Sequence, residues 1–221
     1  MKKYAIIVAG GSGTRMSSKL PKQFMKVAGK PLLMHTIQRF YEADKSALII
    51  VVLPKEYIKE WDKLIHKFKS LIPHVVIEGG STRFQSVKNG LSLVKEKGIV
   101  AVHDGVRPLA SKALINKCFN EANKKGNAIP AIPLNESLRK TSGGRSEVVD
   151  RSSYSIIQTP QCFLSEIILK AYQQRFKKSF TDDATVVESI GKKIHLVEGE
   201  RENIKITFSV DLKIAELFLK K

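Results

Sequence analysis

Cysteine is nearly absent from this sequence: Cys118 and Cys162 stand alone, and no CxxC spacing joins them. That excludes a disulfide framework and fits a reducing, cytoplasmic compartment. Cys118 lies among apolar periodic positions and reads as a small buried residue. Long apolar runs are missing as well, none approaching the ~20 residues that span a bilayer, so no membrane partner is expected. The opening Met1-Lys2-Lys3 and Tyr4-Ala5-Ile6-Ile7-Val8 faintly imitate a signal peptide. The apolar part stops at Gly10 and Arg15 soon follows, which reads instead as a first β-strand. Aromatic residues are scarce at 7%, and there is no basic–aromatic platform, zinc-finger spacing or RNP-like motif. Nucleic acid is therefore not an expected partner. Acid is the scarce charge, with 21 Asp and Glu against 38 Lys and Arg and a formal net charge of +17. The lysines are spread along the chain, many on solvated faces, and their surplus raises the local concentration of anions. Small anionic substrates are the class this balance favours.

Within 221 residues the simplest division is one domain over 1–221. Strand-like and helix-like patterns alternate through most of it. Ala5 to Val8 reads as a strand buried on both faces, because polar alternation is lacking. Pro31 suits the first turn of a helix carrying Leu33, Ile37 and Phe40 on one face. Ala47 to Leu53 predicts a strand, and Trp61, Leu64, Ile65 and Phe68 predict a helix after it. Val75 to Ile77 predicts a strand, with Phe84, Val87, Leu91 and Val94 at helical spacing beyond. Ile99 to Val102 predicts a strand ending at His103-Asp104. A helix over 111–124 and a strand over 128–132 follow. This rhythm predicts an α/β fold, a Rossmann-like, mostly parallel sheet flanked by helices. Between Leu134 and Tyr154 the pattern changes to a hairpin with a Gly143-Gly144 turn, either a plain surface excursion or a dimerisation arm. The remainder predicts helices over 164–176 and 183–190, a strand over 194–197 and a closing helix from Ser209 or Val210.

Five stretches carry chemistry. Gly10-Gly11-Ser12-Gly13-Thr14-Arg15-Met16 follows the first strand. It fails the G-x-G-x-x-G dinucleotide pattern, because Met16 stands where the last glycine allows close helix packing, and it contains no Walker A lysine. What remains is a backbone turn able to aim N–H groups at phosphate oxygens, with Arg15 and Lys22 adding two positive charges. A tight turn with two solvated basic side chains is the plainer alternative; the added Pro21-Lys22-Gln23 favours phosphate. His103-Asp104-Gly105-Val106-Arg107-Pro108 sits at a strand's carboxyl end, where open parallel sheets bind ligands. Asp104 there suits Mg²⁺, a hard cation that prefers carboxylate and phosphate oxygens, or else an ion pair with Arg107 or a helix cap. His103 reads as a structural histidine, since no serine-nucleophile motif accompanies it. Gly79-Gly80-Ser81-Thr82-Arg83 with Ser86 is a second glycine turn, in which Ser81 or Thr82 as a helix cap is the reading that spacing favours. Thr181-Asp182-Asp183 suits a helix start. Lys205 lies in a strand-like apolar run over 203–207, as an edge-strand charge or an anion contact.

Taken in order, A-G-G-S-G-T-R-M, P-K-Q-F, G-G-S-T-R-F-Q-S-V, V-H-D-G-V-R-P, V-D-R, T-P-Q, T-D-D-A and V-E-G-E-R-E-N-I-K-I-T resemble the 2-C-methyl-D-erythritol 4-phosphate cytidylyltransferases over nearly the whole chain. The resemblance implies a nucleotide-binding α/β domain, with 134–153 as an arm that builds a homodimer. It also implies transfer of a cytidylyl group from CTP to a sugar-alcohol phosphate, with release of pyrophosphate. By resemblance Arg15 and Lys22 grip the triphosphate and stabilise the transition state, Lys205 adds charge at the reacting phosphates, and Asp104 holds Mg²⁺. Gly10, Gly11, Ser12 and Gly13 would wrap the nucleotide, and Gly80, Ser81 and Ser86 the cytosine and its surroundings. Ser137, Arg151 and Thr181 map onto the acceptor-binding positions, with Arg107 beside them, and some arm contacts would cross the dimer interface. Glu136-Ser137 departs from the acidic-Thr pair of many members, keeping the hydroxyl on a smaller side chain. A ribitol-5-phosphate cytidylyltransferase shares the glycine loop and the chemistry. The ordered Thr-Pro-Gln, Thr-Asp-Asp-Ala and Asn-Ile-Lys-Ile-Thr segments favour the methylerythritol phosphate enzyme.

Overall fold

The computed structural model describes residues 1–11 and 21–220. Strand β1 (Lys2–Val8) is followed by a short pair, β2 (Lys26–Val27) and β3 (Lys30–Pro31). Then come α1 (Leu32–Ala43), β4 (Leu48–Leu53), α2 (Lys55–Lys67), β5 (Val75–Glu78), α3 (Arg83–Leu91) and β6 (Gly98–Asp104). The second half runs through α4 (Lys112–Lys125), β7 (Asn127–Pro133), the hairpin β8 (Arg139–Ser142) and β9 (Arg145–Val148), β10 (Ser155–Ile157) and β11 (Gln161–Leu164). It ends with α5 (Ser165–Ala171), α6 (Asp183–Glu188), β12 (Leu196–Glu198) and α7 (Ser209–Leu219).

Among the described residues the main sheet has eight strands, in the order β10-β7-β11-β6-β1-β4-β5, with β12 beside β7. Strands β6, β1, β4 and β5 are mutually parallel, and β11 runs against them. Successive side chains of β1 point to opposite faces, and both faces are apolar, so helices cover both. Ala5 and Ile7 pack with Leu33, Ile37 and Phe40 of α1, Trp61 of α2 and Phe119 of α4. Tyr4 and Ile6 pack on the other side with Phe84 and Val87 of α3, Ile168 of α5 and Val187 of α6. A smaller cluster joins Val27, Leu32, Val106, Leu109 and Ile206 to Ala215 of α7.

Several expectations need correction. Pro31 is the residue before α1, not within its first turn, with extended backbone at ψ 141°. The helix expected over 164–176 covers only Ser165–Ala171, and Leu164 instead ends β11, an unforeseen antiparallel strand (Gln161–Leu164) between β6 and β7. Residues 203–207 form an irregular segment, not a strand, tied by Ile206 N–H donating to the Val106 carbonyl at 2.9 Å. The hairpin expectation holds. Gly143 and Gly144 have φ +54° and +78°, the left-handed pair a two-residue hairpin turn needs, and both strands are exposed on both faces.

Topology then places the site. Strand β1 has β4, reached through α1, on one side, and β6, which forms much later in the chain, on the other. The crevice at their carboxyl ends is the switch point where open α/β sheets bind ligands. Val8 lies in register with both Val52 and Asp104. Backbone bonds continue the zipper beyond the strands: Ala9 N–H to Val52 O at 3.0 Å, Gly105 N–H to Val8 O at 2.8 Å, and Gly79 N–H to Leu53 O at 2.8 Å. Gly105 is required by close approach, because a Cβ there would sit 2.8 Å from that of Ala9.

Candidate active site

A cavity of about 420 Å³ opens at this carboxyl edge. Of the sequence-predicted residues, Gly10, Gly11 and Lys22 line it from one side, Gly80, Ser81 and Ser86 from another, and Asp104 and Lys205 from between. Ser12, Gly13 and Arg15 lie outside the described residues. The structure therefore brings together four loops separated by up to almost the whole chain.

Each loop is held by the packing beneath it. Lys22 begins a short 3-10 turn, Lys22–Phe24, whose Phe24 is buried, stacks on Trp61 with centroids 5.9 Å apart, and meets Tyr57 edge-on. That aromatic anchor leaves Lys22 directed at the cavity, where Nζ donates to the Ile206 carbonyl at 3.2 Å. Next to it, buried Gln23 donates from Nε2 to the Ala9 carbonyl at 2.9 Å, joining this turn to the glycine loop. On the far side Thr82, not Ser81, caps α3 by accepting from Gln85 N–H. Ser86 folds back one turn later, its Oγ accepting from Gly80 N–H at 3.1 Å and fixing the glycine turn.

Asp104 is the only carboxylate among the described residues lining the cavity, and cations surround it. Lys205 Nζ is 3.0 Å and Arg107 Nε 3.4 Å from Oδ2, and Arg83 Nε is 3.8 Å from Oδ1. Burial opposes its ionisation, but Arg83, Lys205 and Arg107 together outweigh that and hold the carboxyl well below the usual carboxylate range. Asp183 also takes up the Arg83 charge, but Lys205, Arg107 and nearby Lys22 still outnumber Asp104 and leave surplus positive charge suited to a polyanion.

The same residues bear on Mg²⁺. Among the described residues no group of three or more His, Cys, Asp or Glu could hold a metal alone. Mg²⁺ does not require one, since it is commonly held by one or two carboxylates plus substrate phosphates while keeping several waters. A single ionised Asp104 facing a cationic cavity suited to phosphate fits that donor set.

His103 is wholly buried, as a structural histidine should be. Its Nε2 lies 3.0 Å from the Arg107 carbonyl and must donate, so Nδ1 accepts from the Thr159 hydroxyl, also at 3.0 Å. Thr159 Oγ1 in turn accepts from Asp104 N–H at 3.1 Å. This relay orients the loop through a neutral imidazole. Burial pushes the His103 pKa down to about 4, against weaker opposing effects of the Arg107 carbonyl and Asp104. A base depressed on folding binds its proton more readily in the unfolded chain. Its contribution is thus present above pH 6.5 and lost as pH falls from 6.5 towards 4, amounting to about 3 kcal/mol. We expect the His103 ring resonances to stay in the neutral form down to pH 5; a midpoint near 6.5 would contradict this relay.

The acceptor-binding expectations are placed differently. Arg107 is buried against Asp104 and donates from Nη1 to the Asn203 carbonyl at 2.7 Å, so it does not line the cavity. Ser137 and Arg151 are exposed on the arm, where Arg151 donates to the Asn135 carbonyl at 2.5 Å. Thr181 is exposed just before α6, whose start Asp182 caps with a reciprocal Thr185 contact. Within this chain those residues are not brought to the cavity. Sequence reasoning missed Arg83, Gln23 and Thr207 as lining residues. Arg83 and Gln23 stood inside quoted motifs, but their partners lie elsewhere in the chain and periodicity gives no signal for them.

The family model for 2-C-methyl-D-erythritol 4-phosphate cytidylyltransferase (IspD) matches residues 4–221. A protein of that name from Bacteroides thetaiotaomicron is 49% identical over 219 residues, covering 99% of this chain and all of its own. Another from Caldanaerobacter subterraneus is 39% identical, covering 98% of each. Among solved structures, 4-diphosphocytidyl-2C-methyl-D-erythritol synthase from Anaerococcus prevotii aligns with a TM-score of 0.83 and 28% identity, covering 100% of this chain and 99% of its own. The 2-C-methyl-D-erythritol 4-phosphate cytidylyltransferase of Thermus thermophilus gives 0.79 and 30%, covering both chains fully.

Proposed function

The chain belongs to the 2-C-methyl-D-erythritol 4-phosphate cytidylyltransferase family, and from that premise we propose that it transfers the cytidylyl group of CTP to 2-C-methyl-D-erythritol 4-phosphate, releasing pyrophosphate, in isoprenoid biosynthesis. The observation that carries the reading is the convergence of Lys22, Lys205 and Asp104 on one cavity at the sheet's switch point. The family match favours methylerythritol phosphate over ribitol phosphate as acceptor.

A phosphate oxygen of the acceptor attacks the α-phosphorus, the bond to the bridging oxygen breaks, and pyrophosphate leaves. The nucleophile is already ionised at neutral pH, so no general base or activated serine is required. The barrier lies in bringing two anions together and in the charge that develops at the α-phosphate and leaving group. Positioning and fixed positive charge therefore dominate. Lys22 and Arg15 grip the triphosphate, Lys205 stands at the reacting phosphates, and the glycines at 10–13 and at Gly80 with Ser81 and Ser86 hold the nucleoside. Asp104 would anchor Mg²⁺, which supplies charge neutralisation to the phosphate oxygens.

Ser137, Arg151, Thr181 and Arg107 are proposed for the acceptor, the arm residues acting across a homodimer. Support comes from apolar surface on the arm and just beyond it: Val148 of the hairpin is 79% exposed, and Tyr154 and Ile156, directly after the arm, are 50% and 43% exposed. A cytoplasmic location fits the two free cysteines. Among the described residues no helix is long and apolar enough to cross a membrane. Pyrophosphate release from CTP with each acceptor in turn tests the function. Activity confined to ribitol 5-phosphate overturns it, and monomeric sedimentation at micromolar concentration overturns the arm assignment.

A further inference from the structure

Arg83 and Asp183 lie 100 residues apart and meet as a two-pronged ion pair. Arg83 Nη1 donates to Asp183 Oδ1 at 3.0 Å, and Nη2 to Oδ2 at 2.6 Å. Asp183 has no exposed surface, and the Tyr172 hydroxyl donates to its Oδ1 at 2.6 Å. The pair is braced by Phe84, the next residue, stacked on the Tyr172 ring at 4.6 Å and 19°. A second brace holds α6 itself: Gln161 donates to Asp182 at 2.8 Å and accepts from Ala184 N–H at 2.9 Å. What lies at the two ends matters more than the strength. Arg83 opens α3, directly after the Gly80–Thr82 turn that lines the cavity, and its own Nε reaches to 3.8 Å from Asp104. Asp183 opens α6, two residues after Thr181.

We infer that the Arg83–Asp183 pair is a positioning strut that sets the spacing between the nucleotide-binding turn and the acceptor-binding Thr181 segment, with Asp104 facing the Nε side of the same guanidinium. The inference rests on the proposed function, which assigns those two segments to different substrates. A guanidinium held on both nitrogens by a buried carboxylate has one orientation, and it cannot swing onto Asp104. In a reaction limited by the approach of two anions, a displacement of about 1 Å between the segments costs about a hundredfold in rate. CTP contacts only one of the two segments, so its binding does not need the strut.

Asp183→Asn keeps the shape and removes the charge. With both substrates saturating, its kcat falls about a hundredfold, while the CTP dissociation constant from calorimetry stays within about threefold of wild type. Tyr172→Phe keeps the ion pair and the ring stack, and its kcat falls only about threefold. Arg83→Lys keeps the charge but cannot hold both oxygens, so its kcat falls about as far as that of Asp183→Asn and decides the matter should that variant fail to fold. Arg83 itself lines the cavity, so the CTP affinity of this variant is no part of the test. In Asp183→Asn a parallel loss of CTP affinity and turnover, as for a contact that merely supports the fold, overturns the inference, as does a kcat of that variant within threefold of wild type. Wild-type turnover of CTP with methylerythritol phosphate is measured alongside. Its absence refutes the proposed function, whereas its presence without the split refutes the strut alone.

Discussion

Lys22→Ala lowers kcat by about 10²–10³-fold, or about 3–4 kcal/mol of transition-state stabilisation, and leaves the fold intact. The two halves of this expectation come from different parts of the residue. Its backbone belongs to the turn anchored by buried Phe24 on Trp61 and by Gln23 on Ala9, none of which the substitution touches. Its ammonium donates to the Ile206 carbonyl on the segment that carries Lys205, a contact worth about 1 kcal/mol. The charge, in contrast, faces a cavity in which negative charge grows during reaction, and nothing mobile replaces it without reorganisation. A stopped pyrophosphate-release assay and a thermal unfolding curve on the same preparation check both halves. Near-normal turnover removes Lys22 from the chemistry, and a collapsed melting curve assigns it to the fold instead.

How far this site was legible in the sequence depended on the range of the interaction. Strand β1 and the start of the glycine run are local, so apolar continuity ending at Gly10 was enough to mark residues that line the cavity, Gly10 and Gly11. Asp104 was found because a strand's carboxyl end is itself a signal. Thr82 rather than Ser81 as the cap depends on where α3 begins by a single residue, which spacing does not specify. Strand β11 went unseen, with Leu164 counted into the following helix, because a four-residue, mostly apolar stretch such as Gln161–Leu164 suits either state; pairing with β6 and β7 decided it, and that is a tertiary choice. The same holds for 203–207, whose alternation looks like a strand but whose partner is one carbonyl of the loop after β6. Asp183 was read as a helix-start residue, and it does stand in that first turn. Its burial against Arg83 and Tyr172 depends on residues 100 and 11 positions away.

Asp104→Asn separates the charge that binds from the carboxylate that organises. Asparagine keeps the volume and the backbone N–H bonded to Thr159, so the loop stays in place. Lys205, with a side chain 48% exposed, turns to solvent at little cost, and Arg83 keeps Asp183. Arg107 is the casualty: buried and left with the Asn203 carbonyl, it loses its only carboxylate among the described residues. Removing one member of such a buried pair costs about 3 kcal/mol, read as a lower urea midpoint. Turnover falls much further, by at least about 10³-fold, since the carboxylate proposed to anchor Mg²⁺ is also the group that holds Lys205. CTP binding without metal moves the opposite way. The cavity gains one net positive charge, and the triphosphate binds as tightly as to wild type or more tightly, with a steeper salt dependence. Calorimetry with EDTA present reads that sign directly. Weaker metal-free binding in the variant shows that Asp104 contacts the nucleotide itself, and a turnover loss below tenfold removes it from the metal site.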